Sequence, residues 1–212
     1  MNRPIRPLAT VLQAALAFHV AFTVVDLTLF ARVRSIAVRG VGRRSGDYTT
    51  LARIDQLARN ESLVSLVAVV ATAILFGVWI GRCRDRVVAA GRGVPDSSNV
   101  LRWGWLLPIF NFLVWPRRVL AVWKAADPAR PTSAVGVVWA VSFWVSALLV
   151  RITLAKLDDA AAFASWFWLG ALSDALRMVA AGAAVLFVAG LTDRVDAVAP
   201  PATGLPLPQA AT

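Results

Sequence analysis

Five ionisable residues fall within long apolar runs of this chain: His19, Asp26, Arg151, Asp174 and Arg177. A charge at the centre of a bilayer costs from about 2.5 kcal/mol upward, so such residues are candidates for function wherever the run crosses a membrane. His19 with Asp26 is a pairing suited to proton relay, and Asp26 with Asp174 would attract a cation. The plainer expectation is structural. Asp174 and Arg177 are spaced i, i+3 and neutralise one another on one helix face. Asp26 then caps or pairs locally, His19 is a hydrogen-bonded packing residue, and Arg151 snorkels to the headgroups.

The residue types of other chemistries are missing or isolated. A nucleophile with its base, a paired carboxylate site, a metal cluster or a phosphate loop would be needed for an enzyme. The adjacent Asp158 and Asp159 have no His or Cys partner nearby and read as solvated acids, and Gly91-Arg92-Gly93 makes no nucleotide fingerprint. A single cysteine, Cys83, excludes an internal disulfide and any CxxC pair, and a single histidine excludes a His-rich metal site. Flanked by Arg82 and Arg84, Cys83 is read as an inert thiol. The expectation is a chain without catalytic activity, metal or cofactor.

The elements that position these residues are apolar helices. Of 212 residues, 58% are hydrophobic and 16% charged, with a mean hydropathy of +0.67; soluble domains run near 45–50% and 25%. A spanning helix needs about 20 apolar residues. Four segments qualify, at about 8–30, 62–80, 133–154 and 169–191, none with an interior proline. Arg3, Arg6 and Ala15-Leu16-Ala17 raise a cleaved signal peptide, but the apolar run continues through Val25 and favours an uncleaved anchor. On these boundaries His19 lies near the middle of the first span, and Asp26, Asp174 and Arg177 all lie in the same half of the bilayer, with Arg151 near that end of the third span. A pocket between spans one, three and four would open there.

The net charge of +10, from 22 Lys and Arg against 12 Asp and Glu, would suggest nucleic acid in a soluble protein. Here the bases are distributed around membrane spans, so nucleic acid is not expected. With the N-terminus inside, twelve bases fall on the cytoplasmic side and nine on the other, which places both termini in the cytoplasm of a multi-pass cell-membrane protein. Leu51, Ile54, Leu57 and Ala58 make a short stripe expected as an interfacial helix beside the second span. Ala180, Gly182 and Ala184 suit close helix packing. Residues 1–192 are expected as one transmembrane domain, and the proline-rich 193–212 as a disordered tail.

Arg102 to Pro128 is the most unusual stretch. Its apolar core from Trp103 to Trp115 covers 13 residues, about 20 Å as helix, too short to cross unaided and interrupted by Pro108 and Asn111. Pro116 suits the first turn of a new helix, with Val119, Leu120, Val122 and Trp123 on its apolar side and Arg117, Arg118 and Lys124 toward water and anionic headgroups. Trp103, Trp105, Trp115 and Trp123 fit an interfacial aromatic belt.

The elements Gly104-Trp105, Pro108, Asn111, Pro116 and Trp123, preceded by Trp79-Ile80-Gly81-Arg82-Cys83-Arg84-Asp85, resemble the signature of uncharacterised actinobacterial integral membrane proteins of the domain-of-unknown-function 4328 family. Asp85 stands where that signature has asparagine. The resemblance implies topology and no activity. The expected fold is all-α, a bundle of four transmembrane helices with one interfacial or re-entrant broken helix, residues 103–126, as the third apolar segment in chain order. The expected function is a non-catalytic scaffold that binds anionic lipid headgroups, a membrane partner or a second copy of itself. The alternative is a small transporter or ion or proton conduit using the intramembrane polar residues.

Overall fold

The computed structural model describes residues 5–39, 47–106, 114–130, 133–154 and 160–198. All regular structure among them is helical: α1 (Arg6–Arg39), α2 (Asp47–Ala89), α3 (Ser98–Trp103) with a 3₁₀ turn at Gly104–Leu106, α4 (Trp115–Ala126), α5 (Ala134–Leu154) and α6 (Ala160–Ala197). The break expected at Pro108 and Asn111 lies outside the described residues.

Three described helical stretches are long and apolar enough to cross a membrane, Arg6–Ile36, Leu63–Ala89 and Trp168–Ala197, and Ala134–Leu149 is a shorter apolar one. The helices outrun the apolar segments that nucleate them. α2 has 43 residues, about 65 Å at 1.5 Å per residue, against about 30 Å of hydrocarbon. The separate interfacial helix expected over residues 51–58 is instead the first part of α2. No glycine or proline stands between Asp47 and Phe76 to end the helix where hydropathy falls. For the same reason α1 continues past Phe30 to Arg39. Residues 193–197, expected in the tail, continue α6, because Val195 is buried and Arg194 and Asp196 are held by ion pairs. Residues 199–212 lie outside the described residues.

The chain forms two compact units, one from residues 1–9, 76–133 and 188–212, the other from 10–75 and 134–187. In the second, α1 and α6 run antiparallel: Gln13 donates to the Val185 carbonyl at 3.3 Å, and the Arg34 guanidinium lies 5.4 Å from the Trp168 ring. α5 is antiparallel to α6 as well, with Trp139 stacked on Phe187 and Ser173 Oγ donating to the Ser146 carbonyl at 2.9 Å.

This second unit is built inside out relative to a water-soluble domain. Thr23, Thr72, Ser142, Ser146, Ser173 and Asp174 are buried, while Leu63, Leu66, Val67 and Leu148 are 61–69% exposed. Soluble monomers do not present continuous apolar surface of that kind. Helices in lipid do, and they use small and hydroxyl side chains to approach one another. Ala180 and Ala184 are buried at small-xxx-small spacing, but Gly182 is exposed with nothing within 4 Å of where a Cβ would stand, so it is not part of that stripe.

Candidate functional site

The first unit gathers the bases and the aromatic motif. Its core is a set of helical stripes: Phe76, Trp79, Ile80, Cys83 and Val87 from α2, Leu101 from α3, Trp115, Val119, Val122, Trp123 and Ala126 from α4, and Val188, Leu191 and Val195 from α6, all buried. α4 shows why. Its apolar positions recur at i, i+4, i+7 and i+8 from Trp115, and Pro116 sits in its first turn, where the missing N–H costs nothing. The apolar face of α4 is thus inside the protein. Trp115 and Trp123, expected in an interfacial belt, are core residues; Trp103 is half-exposed.

Each buried indole N–H has an acceptor. Trp79 Nε1 donates to Thr192 Oγ1 at 3.2 Å, Trp115 Nε1 to the Leu101 carbonyl at 3.0 Å, and Trp123 Nε1 to the Arg130 carbonyl at 3.2 Å. Phe76 lies between Trp79 and Trp115, at 5.3 and 5.4 Å from the two rings. The Arg194 guanidinium lies 4.0 Å over the Trp123 ring while bonding Asp127 at 2.9 Å, which holds the cation on the aromatic face. Gly190 admits the Trp123 edge. Gly77 and Gly81, one turn apart on α2, admit Arg102, whose backbone carbonyl lies against Gly77 and whose side chain lies across Gly81.

Around this core the carboxylates are all engaged. Asp196 holds Arg6 at 2.6 Å and Arg86 at 2.9 Å, and Asp193 lies 3.7 Å from Arg6. Asp85, the departure from the resembled signature, holds Arg102 at 3.0 Å and Arg84 at 3.3 Å. Asp96 holds Arg118 at 2.8 Å, and its carbonyl accepts from Arg84 Nε at 2.7 Å. Exposed ion pairs add only about 0–1 kcal/mol each. What this set fixes is geometry, since it ties α1, α2, α4, α6 and the turn before α3 together.

The Gly91-Arg92-Gly93 turn is a helix terminator. Gly91 has φ +80°, its N–H bonds the Val88 carbonyl at 2.9 Å, and Arg92 N–H bonds that of Val87 at 3.2 Å, the double closure that ends a helix on a left-handed residue. The Arg92 side chain then donates to the Ala125 and Ala126 carbonyls at the C-terminus of α4, where a cation is favoured.

Among the described residues no carboxylate pairs with Arg82, Arg117, Lys124 or Arg130. The segments of this unit carry twelve Arg and Lys against five Asp, so most of the chain's +10 resides here. Arg117 and Lys124 are exposed on α4, whereas Arg118, expected beside them facing water, is taken by Asp96. The carboxylates were missed because topology is read from Lys and Arg alone. The available signal was that Asp85, Asp96, Asp127, Asp193 and Asp196 occur among the same bases.

Several motif residues take part in the packing and bonding of this unit where the structure describes them. Trp79, Arg84, Pro116 and Trp123 have the roles given above, Arg82 is half-buried, and Gly104 is buried at the end of α3. The side chain of Trp105 and residues Pro108 and Asn111 are outside the described residues. A profile described as a domain of unknown function (DUF4328) matches residues 42–193. The chain belongs to the DUF4328 family. The matched region of this DUF4328 protein runs from ahead of α2 to Asp193 and leaves α1 outside. No curated protein and no solved structure matches it.

The polar residues of the apolar runs, His19, Asp26, Arg151, Asp174 and Arg177, belong to the second unit. His19 Nε2 and Thr72 Oγ1 share a hydrogen bond of 3.0 Å, and Thr23 Oγ1 donates to the His19 carbonyl at 2.9 Å. Arg177 pairs with buried Asp174 at 3.3 Å. The side chain of Arg151 lies outside the described residues. Among the described residues no three His, Cys, Asp or Glu side chains converge.

Proposed function

We propose that this DUF4328 protein is a non-catalytic membrane scaffold whose basic unit faces the cytoplasm and holds negatively charged groups at the membrane surface. The observation that carries the reading is that all five aspartates of that unit hold arginines while, among the described residues, no carboxylate pairs with Arg82, Arg117, Lys124 or Arg130. The excess of bases on one unit supports the orientation, because cytoplasmic segments retain Lys and Arg. α5 supports a fourth crossing. It has 21 residues, about 31 Å, and it lies against the apolar stretch of α6 at both Ser173 and Phe187.

Reporter fusions test the orientation. A fusion after Val198 is expected to be active only with a cytoplasmic reporter, and activity of a reporter that works only outside the membrane would refute the reading.

A second reading, a conduit for a proton or small cation, is favoured by one observation. Asp174 is buried with Arg177 at 3.3 Å, in the same unit as His19 and Asp26. Proteoliposomes discriminate the two. The scaffold reading expects Asp26→Asn and Asp174→Asn vesicles to pass protons and Na⁺ at the same rate as the unaltered protein, indistinguishable from empty vesicles. A flux abolished by either substitution would establish the conduit instead.

A further inference from the structure

We propose that the outer face of α4 seats the phosphate groups of anionic phospholipids at two points, Arg117 and Lys124. This rests on the reading that the basic unit meets a negatively charged leaflet. The two residues are seven apart, two helical turns, so they lie about 10.5 Å apart along the axis and within about 20° of one another around it. Both are exposed.

The roll of α4 is fixed from the other side. Trp115, Val119, Val122, Trp123 and Ala126 are buried, Trp123 is bonded through its N–H, and Arg118 is held by Asp96 at 2.8 Å. Arg117 and Lys124 therefore cannot be turned inward without unpacking the core. No carboxylate of the unit is left to neutralise them, since Asp85, Asp96, Asp127, Asp193 and Asp196 each hold an arginine.

The surface between the two cations distinguishes a lipid from an acidic protein segment. Half-buried Leu120 and Ala121 fill the stripe from Arg117 to Lys124, so the face alternates cation, apolar, cation over two turns. A headgroup layer offers that sequence of partners, phosphates above and glycerol or acyl carbon just below. An acidic peptide supplies that apolar component only where its own sequence sets an apolar side chain between two carboxylates, whereas every anionic phospholipid carries it. Arg117 presents a planar fork to two phosphate oxygens, and Lys124 a compact point charge.

The test uses the full chain purified in a non-ionic detergent and titrated with phosphatidylglycerol, with bound lipid counted by native mass spectrometry. Each cation near an anionic surface contributes about a factor of five in affinity. Arg117→Gln/Lys124→Gln is expected to weaken phosphatidylglycerol binding about thirtyfold at low salt and to remove most of its salt dependence. Arg53→Gln, which removes one positive charge at an exposed position of the other unit, is expected to leave binding unchanged. Both substituted α4 residues are exposed, so helicity and melting are expected to be those of the original chain.

The proposal is overturned by undiminished phosphatidylglycerol binding by the double variant, by equal binding of phosphatidylcholine, or by competition from inorganic phosphate at equal concentration, which would make the site one for free phosphate. Binding of a polyglutamate peptide in place of the lipid would reassign the face to a protein partner and also overturn it. A reporter placing this unit outside the membrane, with the thirtyfold loss intact, would refute the orientation and leave the lipid site standing.

Discussion

Trp79→Ala lowers the stability of the folded chain by about 3–5 kcal/mol, the range for removing a fully packed tryptophan. The side chain is wholly buried, its ring meets Phe76 at 5.3 Å, and its N–H bonds Thr192 at 3.2 Å. Thr192 also donates to the Val188 carbonyl, so the truncation removes one donor from a short chain of bonds and leaves a cavity between α2 and α6. Trp79→Phe separates the two contributions. It keeps most of the volume and loses the hydrogen bond, for about 1 kcal/mol from the bond itself. Unfolding in mild detergent, followed by helicity against added denaturing detergent, measures both. Equal losses for the two variants would contradict the packing argument.

Gly77→Ala is expected to destabilise the chain by about 2 kcal/mol, although alanine favours a helix interior over glycine by about 1 kcal/mol. A Cβ there would lie on the backbone carbonyl of Arg102, which cannot rotate away as a side-chain tip would. At Gly81 the new methyl meets the Arg102 side chain, at 2.6 Å from Nε, and a smaller loss is expected because that chain can bend. Gly182→Ala is the counterpart. Nothing lies within 4 Å of its Cβ, and there the helix preference acts alone, raising stability by up to about 1 kcal/mol. The same detergent titration checks the order: Gly182→Ala above the original chain, Gly81→Ala below it, Gly77→Ala lowest.

The apolar helices were legible from composition because a run of about 20 apolar residues has few structural outcomes. Helix ends were less so. Hydropathy falls at Ser62 and again after Phe30, but a helix stops at a breaker, and no glycine or proline occurs between Asp47 and Phe76. The basic unit was half legible. Pro116 and the apolar spacing of α4 define an amphipathic helix, but a lipid surface and a protein core are both apolar, so periodicity alone does not say which one Val119 and Trp123 meet. The structure answers that with Arg194 over the Trp123 ring and Gly190 beneath it. Neither contact has a local signature, since about 70 residues separate the partners. Gly77 falls inside the second apolar segment and Gly81 just beyond it in the Trp79–Asp85 element, and neither carries a local sign of a close neighbour. The partner they make room for arrives from α3.

The bonds to Asp196 bear on the order in which the molecule is made. Arg6 and Asp196 are 190 residues apart, and Arg86 reaches the same carboxylate across 110. Helices enter a membrane one after another as synthesis proceeds, so Arg6 and Arg86 are both in place long before their common partner exists. Until α6 has been threaded, the indole of Trp79 has no Thr192 and the face of Trp123 has no Arg194. This unit therefore closes only after residues 188–197 have been made, and a nascent chain stalled before residue 188 lacks the last turns of α6, which carry Thr192, Arg194 and Asp196.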